Sequence, residues 1–260
     1  MASSSRSALP PLTFDAGAGE AAARVGASAA QVVLETGVVC VERVLGEAAL
    51  AALRAHCERI FKEFDALLRE RRLDFRTQNT AFSFSSVASR DRGRLDVQLD
   101  AAGEAHVVAD VWRHPVVRAC CRQLGLREEP LFSGVVFSLP GASVPQAWHR
   151  DGDHLFPDRA DLPPHAVTVF APLSDIASPG LGATQFCPTT HRMSDDACNS
   201  AEHHVFAFNP MRAGSIVVFD YRTLHRGVPN TTAGELRPLV YMVFAKPWFR
   251  DHKNFSAEVL

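Results

Sequence analysis

No apolar run in this chain approaches the roughly 20 residues that a membrane-spanning helix requires. The charges nearly cancel, 27 Lys and Arg against 29 Asp and Glu. A net charge of −2 leaves no electrostatic case for nucleic acid or an anionic membrane surface as partner. The six cysteines show no Cys-x-x-Cys spacing, and no secretory signal precedes them. They read as reduced thiols of an intracellular, cytoplasmic protein. Residues 1–30, mostly Ala, Ser and Gly, have few large apolar groups. Such a stretch cannot offset its own ordering entropy, so a disordered tail is expected there. Organellar import is its alternative use, against which Asp15, Glu20 and a basic complement of only Arg6 and Arg24 weigh. The end, Ala257-Glu258-Val259-Leu260, does not spell a peroxisomal address.

The remainder, 31–260, has the length and the 47% hydrophobic content of one globular domain. Leu50, Leu53, Cys57, Ile60, Phe61, Phe64, Leu67 and Leu68 recur at helical spacing, which predicts an amphipathic helix over about Glu47–Arg72. Arg69, Glu70, Arg71 and Arg72 are its solvated end. Arg94 and Asp96 share one face of a short strand and read as a surface ion pair. Pro115 is placed to begin a helix.

From Leu131 the texture changes. Phe132–Leu139, Val144–Trp148, Ala166–Leu173, Ala183–Cys187, Val205–Phe208, Ser215–Phe219 and Leu236–Ala245 are β-rich runs separated by Pro, Gly, Asn and Asp. The expectation is an α+β fold, with a helical portion to about residue 130 packed on a double-stranded β-helix (jelly roll) over about 131–250.

The chemistry centres on Trp148-His149-Arg150-Asp151-Gly152-Asp153. On a strand, His149 and Asp151 point to one face, because strand periodicity is two. A second histidine, His225, ends the run after Ser215–Phe219. Two histidines and one carboxylate form the facial triad of non-haem iron(II) oxygenases, with the other positions open. A 2-oxo acid fills two of those by chelation and leaves one for dioxygen. The far carboxylate of 2-oxoglutarate then needs a cation, and Arg237 offers a planar fork. Taken alone, His149 and Asp151 are equally a hydrogen-bonded surface pair. His191 competes for the third ligand position. Gln146 either faces the pocket or pairs within the sheet. His154, His165, His203 and His204 sit near turns and read as solvated or loop-capping. Asp153 shares the face only if the strand continues through Gly152.

Gln146-Ala147-Trp148-His149-Arg150-Asp151-Gly152, Leu224-His225-Arg226-Gly227-Val228-Pro229-Asn230, Arg237 and Lys246-Pro247-Trp248-Phe249 resemble the phytanoyl-CoA dioxygenase family. Phe170–Asp175 and Phe186–Arg192 resemble its intervening strand and loop. The resemblance implies a jelly roll, Fe(II) and 2-oxoglutarate-dependent hydroxylation of a small-molecule, lipid-like or acyl substrate with dioxygen. By it, His149, Asp151 and His225 are the ligands and Arg237 is the co-substrate anchor. The chain departs from the family at Gly227, where Ser is frequent, at Phe170, where Trp is frequent, and at Pro188-Thr189-Thr190-His191, where Pro-Gly-Ser-His is frequent. Asp151 separates it from halogenating relatives. Alternatives are a jelly-roll metalloenzyme without an oxo acid, of isomerase type, and a non-catalytic binding protein. An acyl-CoA substrate would favour a basic groove, for which Arg69, Arg71, Arg72 and Arg76 are candidates.

Overall fold

A computed structural model describes residues 11–17, 21–76, 81–90, 93–100, 102–141, 144–200, 202–251 and 258–260. In chain order the elements begin with strand β1 (Thr13–Asp15), helix α1 (Ala22–Thr36), β2 (Val38–Glu42), α2 (Glu47–Glu70), β3 (Val87–Ser89) and β4 (Arg94–Gln98). Then come α3 (Ala109–Trp112), α4 (Pro115–Gln123), β5 (Phe132–Ser138), β6 (Ala166–Pro172), β7 (Gln185–Phe186), α5 (Asp195–Ser200) and β8 (Phe206–Ala207). The chain closes with β9 (Ile216–Asp220), β10 (His225–Arg226) and β11 (Arg237–Ala245).

The fold is mixed, with a large sheet ordered β1-β2-β9-β6-β11-β5-β4-β3 and a small one ordered β10-β7-β8. Every pairing is antiparallel except β1 with β2. Side-chain alternation divides the large sheet into two faces. Leu95, Val97, Val135, Phe137, Val167, Val169, Val240, Met242 and Phe244 form one apolar core with α1, α2 and α4. Arg94, Asp96, Val136, Ser138, Thr168, Phe170, Arg237, Leu239 and Tyr241 lie on the other face and line a cavity. Phe186, in the small sheet, and Phe208, just beyond it, pack against Val38, Cys40, Val217 and Phe219.

α2 occupies the span its periodicity predicts, burying Leu50, Leu53, Cys57, Ile60 and Leu68. Pro115 is the first residue of α4, where its missing N–H costs nothing. Three expectations need correction. The disordered tail to residue 30 does not hold over its last third. There α1 buries Val25, Ala29 and Ala30, since small residues on one face let it pack closely on α4; residues 1–10 and 18–20 lie outside the described residues. The portion before residue 130 is not only helical, because β1, β2, β3 and β4 all join the large sheet. Val144–Trp148 forms no strand. Gln146 donates its N–H to Gly227 O and His149 donates its N–H to His225 O, so Ala147 and Trp148 stand opposite Arg226 alone and the segment bulges.

Among the described residues no helix is long and apolar enough to cross a membrane.

Candidate metal centre

His225 opens β10 and exchanges both backbone hydrogen bonds with His149, at 2.9 and 3.0 Å. That pairing sets their rings 4.4 Å apart. Asp151 follows the bulge, and its Oδ1 lies 3.5 Å from His225 Nε2. One ligand atom from each of His149, Asp151 and His225 lies within 4.8 Å of the others, and no other such group occurs among the described residues. The convergence expected of a continuous strand is achieved instead by an isolated bridge between His149 and His225.

The surroundings orient each candidate ligand. His149 Nδ1 contacts Ala147 O and His225 Nδ1 contacts Thr223 O, both at 2.9 Å. Each Nδ1–H donating to a carbonyl leaves the Nε2 lone pair for a metal. Thr168 donates its hydroxyl to Asp151 Oδ2 at 2.7 Å, holding Oδ1 toward His225. His225 is buried at 3% exposure, and burial pushes its pKa down to about 4, against the opposing pull of Asp151. A neutral imidazole at physiological pH is the form that ligates.

His191 is not part of this group. Its Nε2 contacts Leu34 O at 3.2 Å, and its ring packs where Gly37, at φ 85°, leaves no Cβ. His191→Ala is therefore expected to leave Fe(II) affinity unchanged, as measured by anaerobic titration. Asp153 is exposed and His203 contacts the Cys198 carbonyl, as turn residues do.

His165 departs from the turn reading. It is 3% exposed, against Phe249 and Tyr221, and burial pushes its pKa down to about 4. Below pH of about 6.5 the unfolded chain takes up a proton that folded His165 refuses, so stability falls as pH drops. The loss is complete below about 4 and amounts to ~3 kcal/mol at most. Denaturant melts between pH 7 and 4.5 should show a shallower decline in His165→Gln than in wild type.

The three ligand candidates line a cavity of about 560 Å³, within the range of small-molecule sites. Arg237 enters it from the first position of β11 and is 3% exposed. Its Nη2 donates to Ser138 Oγ at 2.8 Å, while Nε and Nη1 are buried without a partner among the described residues. Burial, reinforced by the charge of Arg94, pushes its pKa down to about 10. A buried guanidinium with two idle donors is a seat for an anion. Two imidazoles and a carboxylate suit Fe(II), and the fork of Arg237 in the same cavity suits the far carboxylate of a 2-oxo diacid.

Gln146 lies outside every strand and does not pair within the sheet. It lines the cavity, and its Oε1 accepts from Gly227 N at 3.0 Å. A Cβ on Gly227 would sit 2.5 Å from that oxygen, so Gln146 fills the space of the frequent serine. Arg94 and Asp96 were misread. Both are buried in the cavity wall, and Asp96 takes Arg90 Nε at 3.0 Å and the Tyr241 hydroxyl at 2.9 Å. Sequence reasoning also passed over Thr168 and Ser138. The available signal was alternation along β5 and β6, which sends both to the cavity side.

A mixed, mostly antiparallel fold thus brings a candidate metal centre, His149, Asp151 and His225, and a buried cation with idle donors, Arg237, into one cavity. Residues 33–238 match the phytanoyl-CoA dioxygenase family, and the chain belongs to that family. Among solved structures it is similar to AviO1 from Streptomyces viridochromogenes Tue57, with 23% identity, a TM-score of 0.64, and coverage of 86% of this chain and 96% of that one. It is similar to the epimerase SnoN in complex with Fe3+, alpha ketoglutarate and nogalamycin RO, with 18% identity, a TM-score of 0.60, and coverage of 92% and 95%. EvdO2 from Micromonospora carbonacea var. aurantiaca, complexed with 2-oxoglutarate, matches with 16% identity, a TM-score of 0.56, and coverage of 88% and 93%.

Proposed function

We propose that this protein is an Fe(II)- and 2-oxoglutarate-dependent dioxygenase of jelly-roll architecture that hydroxylates a small organic molecule. The observation that carries the reading is the pairing of the His149, Asp151 and His225 group with the idle donors of Arg237 in one cavity. His149, Asp151 and His225 hold the metal. When bound, Fe(II) with the oxo acid supplies the activation of dioxygen that an unreactive carbon requires. Arg237 binds and orients the co-substrate through its far carboxylate, and Ser138 fixes the plane of the guanidinium. Thr168 keeps Asp151 turned to the metal, and Gln146 braces the backbone at Gly227. Phe170, in contact with Phe219 and near His225, keeps this wall dry.

An isomerase without an oxo acid has no use for Arg237 in this place. Inversion of a carbon centre without net hydroxylation, one hydrogen removed from one face and another returned to the opposite face, is the second reading, because one similar structure is an epimerase. Anaerobic titration with Fe(II) and 2-oxoglutarate should develop the visible charge-transfer band of the chelate, and air should then yield succinate. Fe(II) binding with no band would overturn the 2-oxoglutarate assignment. Oxygen incorporation from labelled dioxygen separates hydroxylation from the second reading.

A further inference from the structure

The cavity has a second polar feature that co-substrate binding does not use. β4 sends Leu95 and Val97 into the helical core and Asp96 to the cavity side. Burial raises the pKa of the Asp96 carboxyl, opposed by Arg90 and by the Tyr241 hydroxyl. Tyr241 reaches Asp96 because its β5 partner is Gly134, in mid-strand, where a Cβ would sit 2.2 Å from the Tyr241 oxygen. Glycine weakens a strand interior, so seating this hydroxyl has a cost in stability. Burying the Asp96 carboxyl against a half-buried Arg90 likewise adds little to stability. Each Asp96 oxygen has one hydrogen-bond donor, from Tyr241 or Arg90, and an ionised carboxylate oxygen accepts more than one.

The location is next to the metal group. Tyr241 pairs across the sheet with Phe170, whose ring lies 6.4 Å from that of His225, and Asp151 is close enough for its charge to act on Asp96. Beyond Tyr241 the wall turns apolar with Phe132 and Val243. A hydrocarbon chain would leave Asp96 and Arg90 desolvated without gain. The basic groove that acyl-CoA favours also weakens, since Arg69 and Arg76 both pair with Asp65, at 2.9 and 2.5 Å.

We propose that Asp96, held between Arg90 and Tyr241, accepts a hydrogen bond from a hydroxyl or amino group of the substrate, which is therefore a compact polar molecule and not an acyl chain. The proposal rests on the dioxygenase reading and deepens it. The test uses full-length protein loaded anaerobically with Fe(II) and 2-oxoglutarate, whose binding is measured first. Calorimetry then compares 1,2-cyclohexanediol, its dimethyl ether, which cannot donate, and decanoate. The diol should bind about tenfold tighter than the ether, in line with one hydrogen bond to a charged acceptor. Asp96→Asn should lose most of that preference with unchanged 2-oxoglutarate affinity, whereas Tyr241→Phe, which keeps the carboxylate, should retain it. Failure of 2-oxoglutarate to bind sinks the dioxygenase reading instead. Normal 2-oxoglutarate binding with no diol binding, with equal affinities for diol and ether, or with decanoate preferred, overturns the proposal. So does a preference that survives in Asp96→Asn. The wild-type comparison decides the matter should that variant not fold.

Discussion

Arg237→Ala is expected to weaken 2-oxoglutarate binding by about 10²- to 10³-fold. Removing the guanidinium leaves a carboxylate desolvated and unpaired, a loss on the order of 3–5 kcal/mol, at about 1.4 kcal/mol per tenfold. Arg237→Lys should recover only part, because an ammonium cannot reproduce the fork with which Arg meets a carboxylate. Fe(II) affinity should stay the same in both variants. The apoprotein adds a second signature. With Nε and Nη1 buried and idle, the single hydrogen bond from Arg237 to Ser138 does not offset the cost of burying the guanidinium until an anion arrives. The thermal midpoint of apo Arg237→Ala should therefore equal or exceed that of wild type; Fe(II) alone should raise both, and 2-oxoglutarate added to the Fe(II)-loaded protein should raise wild type further and Arg237→Ala far less. Equal 2-oxoglutarate affinity in wild type and Arg237→Ala would sink the anchor assignment.

His225→Ala is expected to abolish stoichiometric Fe(II) binding, and His149→Ala likewise. Each removes one of the three ligand-type side chains that converge here, and among the described residues no other joins the group to take its place. Asp151→Asn should suppress succinate formation by removing the anionic ligand that balances the metal charge. Thr168→Val, which leaves the ligands intact but frees Asp151 Oδ2, should weaken binding by about 10- to 100-fold, the usual cost of losing an orienting partner. Anaerobic Fe(II) titration measures the His149, His225 and Thr168 variants, and succinate formation in air measures Asp151→Asn. Retained binding in His225→Ala would overturn the ligand set, and a Thr168→Val effect as large as that of His225→Ala would mean that the site had collapsed.

The sequence by itself carried what is local or periodic. Helical spacing placed α2, Pro115 marked the start of α4, and β-rich runs located β5, β6, β9 and β11. His-x-Asp with a later histidine and Arg237 named the residues that the fold gathers in one cavity. Alternation reports which residues share a face, but it does not report what covers that face. Arg94 and Asp96 were thus correctly paired on one side of a strand and wrongly placed at the surface. Only the tertiary structure shows β4 inside the large sheet with that side closed over a cavity. α1 was missed for a related reason. Alanine and glycine signal no core in sequence, yet they bury well when another helix packs closely against them. The choice of His225 over His191 was likewise a long-range matter, because a hydrogen-bonded bridge across a bulge, and not spacing along the chain, brings His225 to His149 and Asp151.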